Sequence, residues 1–234
     1  MNERSKFAAI CFDCDSTLTR IEGIDELARH SGREAEIAPL TAAAMEGALS
    51  LEDVYARRLD VVRPGRDALA WLAERYVEEM VDGAREMIAA LQGLGKAVYV
   101  VSGGFFQPVA KLAQAVGIPQ ANVRAVEIYL NEAGAYADYD SNSPLTRSNG
   151  KAEVCRALAQ NYGAVAIVGD GITDLAARAG GAYVVGFGGV ARRQAMADGA
   201  DYFVAEGPLT HTLKALLSAA EFEEASLAVS KRQA

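Results

Sequence analysis

Soft metal ligands are scarce in this sequence: three cysteines and two histidines among 234 residues. An odd number of cysteines supplies no disulfide framework. Cys11 and Cys14 make a lone C-x-x-C at the end of an apolar run rather than at a helix start, and only Cys155, His30 and His211 could complete a soft site. Zinc binding and thiol redox chemistry are set aside on that ground, and the thiols are expected to be packed inside. Neither histidine is assigned a role. Long apolar runs are missing as well, none approaching the roughly 20 residues that span a bilayer. Positive charge is in deficit: 23 Lys and Arg against 31 Asp and Glu leave a formal net charge of −8. Nucleic acid and anionic membranes are therefore not expected as partners, and an anionic substrate would have to be drawn by a few local cations. The opening MNERSK leads straight into the first apolar run without room for a signal peptide, so the expected location is cytoplasmic.

What is present is an ordinary globular composition, 51% hydrophobic and 23% charged, in a chain long enough for a substantial core. The apolar run over 7–12 reads as a buried strand of a parallel sheet. Asp13 and Asp15 follow it directly. Side chains two apart on a strand share a face, so both can project from the carboxyl end, where open α/β sheets bind ligands. Two carboxylates this close repel, and a hard, oxygen-seeking cation such as Mg²⁺ would relieve the repulsion. The plain alternative is a pair of solvated aspartates in a turn. An EF-hand loop is ruled out, because Leu18 and Ile24 stand where its Gly and Glu are required.

From Thr19 to Met80 the pattern is helical, with helices over 22–30, 41–47 and 51–62 and a fourth running through Tyr76. Ser50 is placed to cap the third, with Asp53 at the capping-box position, and Asp67 to cap the fourth. Strands then alternate with helices: strands over 97–101, 165–168, 182–185 and 201–204, helices over 83–91, 108–116 and 151–162, and a hairpin over 126–130 and 135–139. This predicts an α/β fold, a doubly wound, Rossmann-like parallel sheet core with an inserted helical cap. The expected division is a core of 1–18 and 81–234, a cap of 19–80 and a small hairpin insert at 123–145. The loops closing the first four strands should lie along one edge of the sheet.

Those loops carry the chemistry. Asp13 and Asp15 come from the first, Asp170 and Asp174 from the third, together an oxygen-only cation site of the kind Mg²⁺ prefers. Taken alone, Asp174 reads first as a helix-start aspartate favoured by the dipole. Ser102-Gly103-Gly104 offers a hydroxyl and free backbone N–H groups at a helix start, suited to phosphate, or else a tight turn. Gly169-x-Gly171 does not extend to a dinucleotide fingerprint, since Asp174 occupies the last glycine position. Lys151 opens a helix, where a cation opposes the dipole unless an anion sits beside it. A nucleophilic carboxylate, a divalent cation, a lysine and a hydroxyl around one point suit phosphoryl transfer. Asp13 would attack phosphorus, and Asp15 would protonate the leaving oxygen and then deprotonate the hydrolytic water.

The motifs carrying these residues resemble the haloacid-dehalogenase superfamily, specifically its branch that hydrolyses O-phospho-L-serine. They are Phe12-Asp-Cys-Asp-Ser-Thr-Leu18, Glu22-Gly-Ile-Asp-Glu-Leu-Ala28, Met45-Glu-Gly47, Arg58, Val101-Ser-Gly-Gly-Phe105, Gly150-Lys151, Gly169-Asp-Gly-Ile-Thr-Asp174 and Gly186-Phe-Gly-Gly189. The resemblance implies Asp13 as nucleophile and Asp15 as acid/base. Mg²⁺ would be held by Asp13, the backbone carbonyl of Asp15 and Asp170, with Asp174 behind them. Ser102, Gly103 and Lys151 would hold the phosphoryl group. Glu22 would meet the substrate ammonium and Arg58 its carboxylate, with Met45, Thr173 and Arg193 lining the same pocket. Thr173 stands where many members carry Asn, and Val126-Glu127-Ile128 replaces a more usual Asn-Arg-Leu. Two alternatives stand beside this: a phosphotransferase or phosphatase for another small phosphomonoester, and a phospho-receiver module, which places its acceptor on the third strand and lacks a large helical insert. A homodimer is left open.

Overall fold

The computed structural model describes residues 6–45 and 48–233, with backbone alone at Met45 and at 231–233. The strands, in chain order, are β1 (Ala9–Phe12), β2 (Ala97–Phe105), β3 (Val123–Val126), β4 (Ile128–Leu130), β5 (Tyr136–Tyr139), β6 (Val165–Gly169), β7 (Tyr183–Phe187) and β8 (Tyr202–Val204). Six of them form one sheet in the order β3-β2-β1-β6-β7-β8, every pair parallel. β1 and β6 are buried at every position, as expected for parallel strands covered by helices on both faces. The strand order reverses beside β1, so the gap between β1 and β6 is a topological switch point. Register aligns Phe12 with Val100 on one side and Val168 on the other. Asp13 and Asp170 therefore leave the sheet side by side, at the level where β2 reaches Ser102.

The helices are α1 (Gly23–His30), α2 (Glu34–Met45), α3 (Leu51–Val62), α4 (Arg66–Glu78), α5 (Ala84–Gly93), α6 (Phe106–Val116), α7 (Gly150–Tyr162), α8 (Ile172–Ala176), α9 (Gln194–Gly199), α10 (Leu213–Leu216) and α11 (Ala219–Gln233). α1, α2 and α3 pack on one another, whereas α4 lies along α6. The chain leaves the sheet and returns to it through one paired neck: Thr19 bridges Met80, and the Val81 N–H donates to the Leu18 carbonyl at 3.0 Å. No described helix is long and apolar enough to cross a membrane. Cys11, Cys14 and Cys155 are free and buried, the packed thiols expected above.

Several boundaries differ from expectation. β2 runs on to Phe105, with a register shift between Val101 and Phe105. Ser102-Gly103-Gly104 is thus the irregular end of a strand rather than a helix start. Val126 belongs to the main sheet beside β2, and the hairpin begins at Ile128. Gly65, not Asp67, is the N-cap of α4, and Asp67 lies in its first turn. α2 starts earlier than its alanine-rich half suggests and carries Pro39 inside, a residue that ordinarily argues against a helix interior. The expected helix over 41–47 ends in Glu46 and Gly47, which lie outside the described residues. Ser50 does cap α3, accepting the Asp53 N–H at 3.2 Å.

Candidate active site

Asp13 continues β1, its N–H donating to the Val168 carbonyl at 2.9 Å. The Cys14 N–H donates to Asp13 Oδ1 at 2.7 Å, and Lys151 Nζ lies 2.8 Å from Asp13 Oδ2. Lys151 is the second residue of α7 and is 5% exposed. It also donates to Asp174 Oδ1 at 2.7 Å. The anion needed to offset a cation at this helix end is therefore supplied by two carboxylates of the chain. Burial works against the lysine charge, but Asp13 and Asp174 outweigh it and raise its pKa above the ordinary value. The second Asp174 oxygen accepts the Gly171 N–H at 3.1 Å. Burial pushes Asp174 up to about 6, with Lys151 pulling the other way. Only glycine fits at 169, since a Cβ there would lie 2.1 Å from the Asp174 carboxyl carbon.

Asp170 is 2% exposed. Thr17 Oγ1 donates to its Oδ1 at 3.5 Å, and Arg193 Nη2 lies 2.8 Å from its Oδ2. The same guanidinium donates to Glu22 Oε1 at 3.1 Å, which Ser16 Oγ also meets at 2.7 Å. Ser16 holds a φ of 53°, a left-handed conformation uncommon outside glycine, within the tight turn in which the Leu18 N–H donates to the Cys14 carbonyl at 2.8 Å. Burial raises the Asp170 carboxyl well above its usual range, with Glu22 adding to the effect and Arg193 opposing it.

Asp15 turns away from this group. Its carboxylate accepts from Tyr76 OH of α4 and from the Gly23 N–H of α1 at 3.2 Å. Burial and then Glu22 raise its pKa well above the ordinary value, against the hydrogen bond from Tyr76. The expected cluster of four carboxylates around one point is met by three. Asp13, Asp170 and Asp174 each offer an oxygen within 4.8 Å of the others, and the Asp15 side chain is not among them. The three form an all-oxygen, buried donor set, and the partner of Asp170 Oδ2 is the Arg193 guanidinium, with Nη2 2.8 Å away. Such a site fits a hard divalent cation rather than a soft one.

A cavity of about 360 Å³ is lined by Asp13, Asp15, Ser102, Gly103 and Lys151 together with Glu22, Arg58 and Thr173. Asp170 and Asp174 lie behind Asp13 and Lys151 and do not line it. Arg193 does not line the cavity and reaches the site through Glu22 and Asp170. The Met45 side chain lies outside the described residues. Ser102 Oγ accepts the Gly104 N–H at 3.0 Å, and Tyr55 of α3 donates to the Gly103 carbonyl at 2.9 Å. Sequence reasoning missed Tyr76 and Tyr55. Both sit in the apolar stripes of their helices and read as core residues, and no spacing tied either to the strand ends.

Comparison with known proteins extends this picture. A family profile described as haloacid dehalogenase-like hydrolase matches residues 7–181. The phosphoserine phosphatase of Mus musculus is 36% identical over 200 residues, 85% of this chain and 89% of that protein. A solved substrate-bound phosphoserine phosphatase complex superposes with a TM-score of 0.77 at 27% identity, covering 91% of this chain and 100% of the other. A phospho-aspartyl intermediate analogue of phosphoserine phosphatase gives a TM-score of 0.75 at 28% identity, with coverage of 91% and 100%.

Proposed function

The chain belongs to the haloacid dehalogenase-like hydrolases, and within that family we propose that it hydrolyses O-phospho-L-serine to L-serine and phosphate. The observation that carries this reading is one cavity lined both by the phosphoryl-transfer groups and by an acid and a guanidinium, Glu22 and Arg58. A carboxylate and a guanidinium are what the ammonium and carboxylate of an amino acid require.

In the proposed reaction Asp13 attacks phosphorus, the bond from phosphorus to the serine oxygen breaks, and an aspartyl-phosphate forms. Asp15 gives its proton to the leaving serine oxygen. Its raised pKa favours the protonated form that this step needs. Asp15 then takes a proton from water attacking the aspartyl-phosphate, which restores Asp13 and releases phosphate. Lys151, held between Asp13 and Asp174, places a fixed positive charge beside the nucleophile for the phosphoryl oxygens. Asp174 has one oxygen on Lys151 and the other on the Gly171 N–H, so its part is to orient the lysine. Asp13, Asp170 and the Asp15 backbone carbonyl would hold Mg²⁺, whose contribution is charge neutralisation on the phosphoryl group. Ser102 and Gly103 complete the phosphoryl cradle, with Thr173 beside it. α1 to α3 act as a specificity cap entered through the neck at Thr19 and Met80.

The test is phosphate release from a panel of phosphomonoesters, including L- and D-phosphoserine, phosphothreonine and p-nitrophenyl phosphate, with and without a chelator. O-phospho-L-serine should be the best substrate, and activity should vanish on chelation and return with Mg²⁺. Better turnover of another ester, or undiminished turnover after complete metal removal, would overturn the reading. Transfer of phosphoryl to added homoserine in place of water would instead mark a phosphotransferase.

A further inference from the structure

Arg58 is 7% exposed yet lines the cavity. No carboxylate pairs with it among the described residues, and its Nε is buried without a hydrogen-bond partner. A buried guanidinium left this way is costly unless a ligand completes it. What does hold it is neutral. Arg58 Nη1 donates to Thr41 Oγ1 at 3.4 Å, and Thr41 Oγ1 in turn donates to Asp25 Oδ1 at 2.7 Å. Thr41 is 4% exposed. The three residues come from three helices: Asp25 from α1, Thr41 from α2 and Arg58 from α3.

The order of these groups has a chemical consequence. A threonine hydroxyl has one proton and two lone pairs. Asp25 claims the proton, so the lone pairs are left for the guanidinium. Had Asp25 paired with Arg58 directly, the positive charge would be neutralised inside the protein and unavailable to a ligand. A hydroxyl placed between them fixes the guanidinium without a direct ion pair, which leaves its remaining donors free for a ligand.

We propose that Thr41, its hydroxyl proton committed to Asp25, is a positioning residue that holds the Arg58 guanidinium for the carboxylate of an amino-acid substrate. The proposal rests on the phosphoserine reading above and adds to it what sets the selectivity for an acid head group. Neither Thr41 nor Asp25 lines the cavity, so both act through Arg58.

The experiment compares O-phospho-L-serine with O-phosphoethanolamine, which keeps the ammonium and phosphate but has no carboxylate. Thr41→Val should raise KM for phosphoserine about ten-fold, the worth of a hydrogen bond to a charged group, with kcat little changed. KM for phosphoethanolamine should move less than about two-fold. Thr41→Ser, which keeps the hydroxyl, should restore the phosphoserine KM, and Asp25→Asn should give an intermediate rise. Equal changes on both esters, or no rescue by serine, would show Thr41 to be a packing residue and overturn the proposal. If the wild-type enzyme does not prefer phosphoserine to phosphoethanolamine, the substrate reading itself fails and takes the proposal with it. A preference that survives Thr41→Val unchanged overturns the proposal alone. Should Thr41→Val fail to fold, Asp25→Asn read against the same pair of esters decides the question.

Discussion

The strand ends and the helices that line the same cavity are built in different ways. At the sheet edge, each group follows a fully buried parallel strand, and backbone ladders set its height: Asp13 after Phe12, Asp170 after Gly169. On the helical side, Glu22 and Arg58 sit on or beside helices, and their side chains are placed by side-chain hydrogen bonds, Ser16 to Glu22 and Arg58 to Thr41 and on to Asp25. Strand ladders leave little freedom, so they suit groups that must meet phosphorus within a fraction of an ångström. Side-chain networks on helices can be changed one residue at a time without moving the backbone, which suits selectivity.

That contrast is open to attack on both sides. Asp13→Asn should strike hardest, lowering turnover by at least about 10⁴-fold while leaving the fold intact, as circular dichroism would show. Lys151→Met should come next. It strands Asp13 and Asp174 as buried carboxylates, so thermal melting should report a loss of about 3–5 kcal/mol along with about 10³-fold lower kcat. The double variant Lys151→Met, Asp174→Asn should recover part of the stability and none of the activity. Glu22→Gln should lower kcat/KM for phosphoserine about 10- to 100-fold but that for p-nitrophenyl phosphate much less; equal losses would erase the distinction between strand ends and helices.

Tyr76→Phe sits where the two meet. It should cost about ten-fold in kcat, since it removes one hydrogen bond from Asp15. That bond favours the ionised carboxylate, against burial and Glu22, which favour the protonated form. Without it the Asp15 pKa rises further. The acid stays protonated to higher pH, so the alkaline limb of the kcat profile should move upward; a downward shift would contradict the role of Asp15 as acid. The smallest effect is expected from Lys111→Ala, which breaks the exposed pair with Glu74 between α4 and α6. Stability should change by less than about 1 kcal/mol, because Leu69, Leu72 and Tyr76 bury the apolar face of α4.

Much of the edge was legible because strands and loops announce themselves locally. The apolar runs marked β1, β2, β6 and β7, and the acids at their ends could be read by position. Two boundaries there mislead. Val126 reads as part of the hairpin because its partner, Phe105 on β2, is distant in the chain, and Ser102-Gly103-Gly104 reads as a helix start because a strand's irregular end looks like a turn. The helical side was far less legible. Tyr76 reads as one more apolar position of α4, Thr41 is lost in an alanine-rich stretch, and Asp25 passes for an ordinary first-turn acid of α1. Their importance lies in partners 61, 17 and 16 positions away.

The parallel α/β core, the helical insert and the place of the acids on the loops are written in the chain, because apolar periodicity and strand-end chemistry are local properties. Packing alone settles that Asp15 faces Tyr76 instead of the carboxylate cluster, that Lys151 is shared by Asp13 and Asp174, and that Arg58 is held through a threonine. Those outcomes depend on which lone pair and which proton come within about 3 Å of each other after the helices pack, and no spacing along the chain encodes that distance.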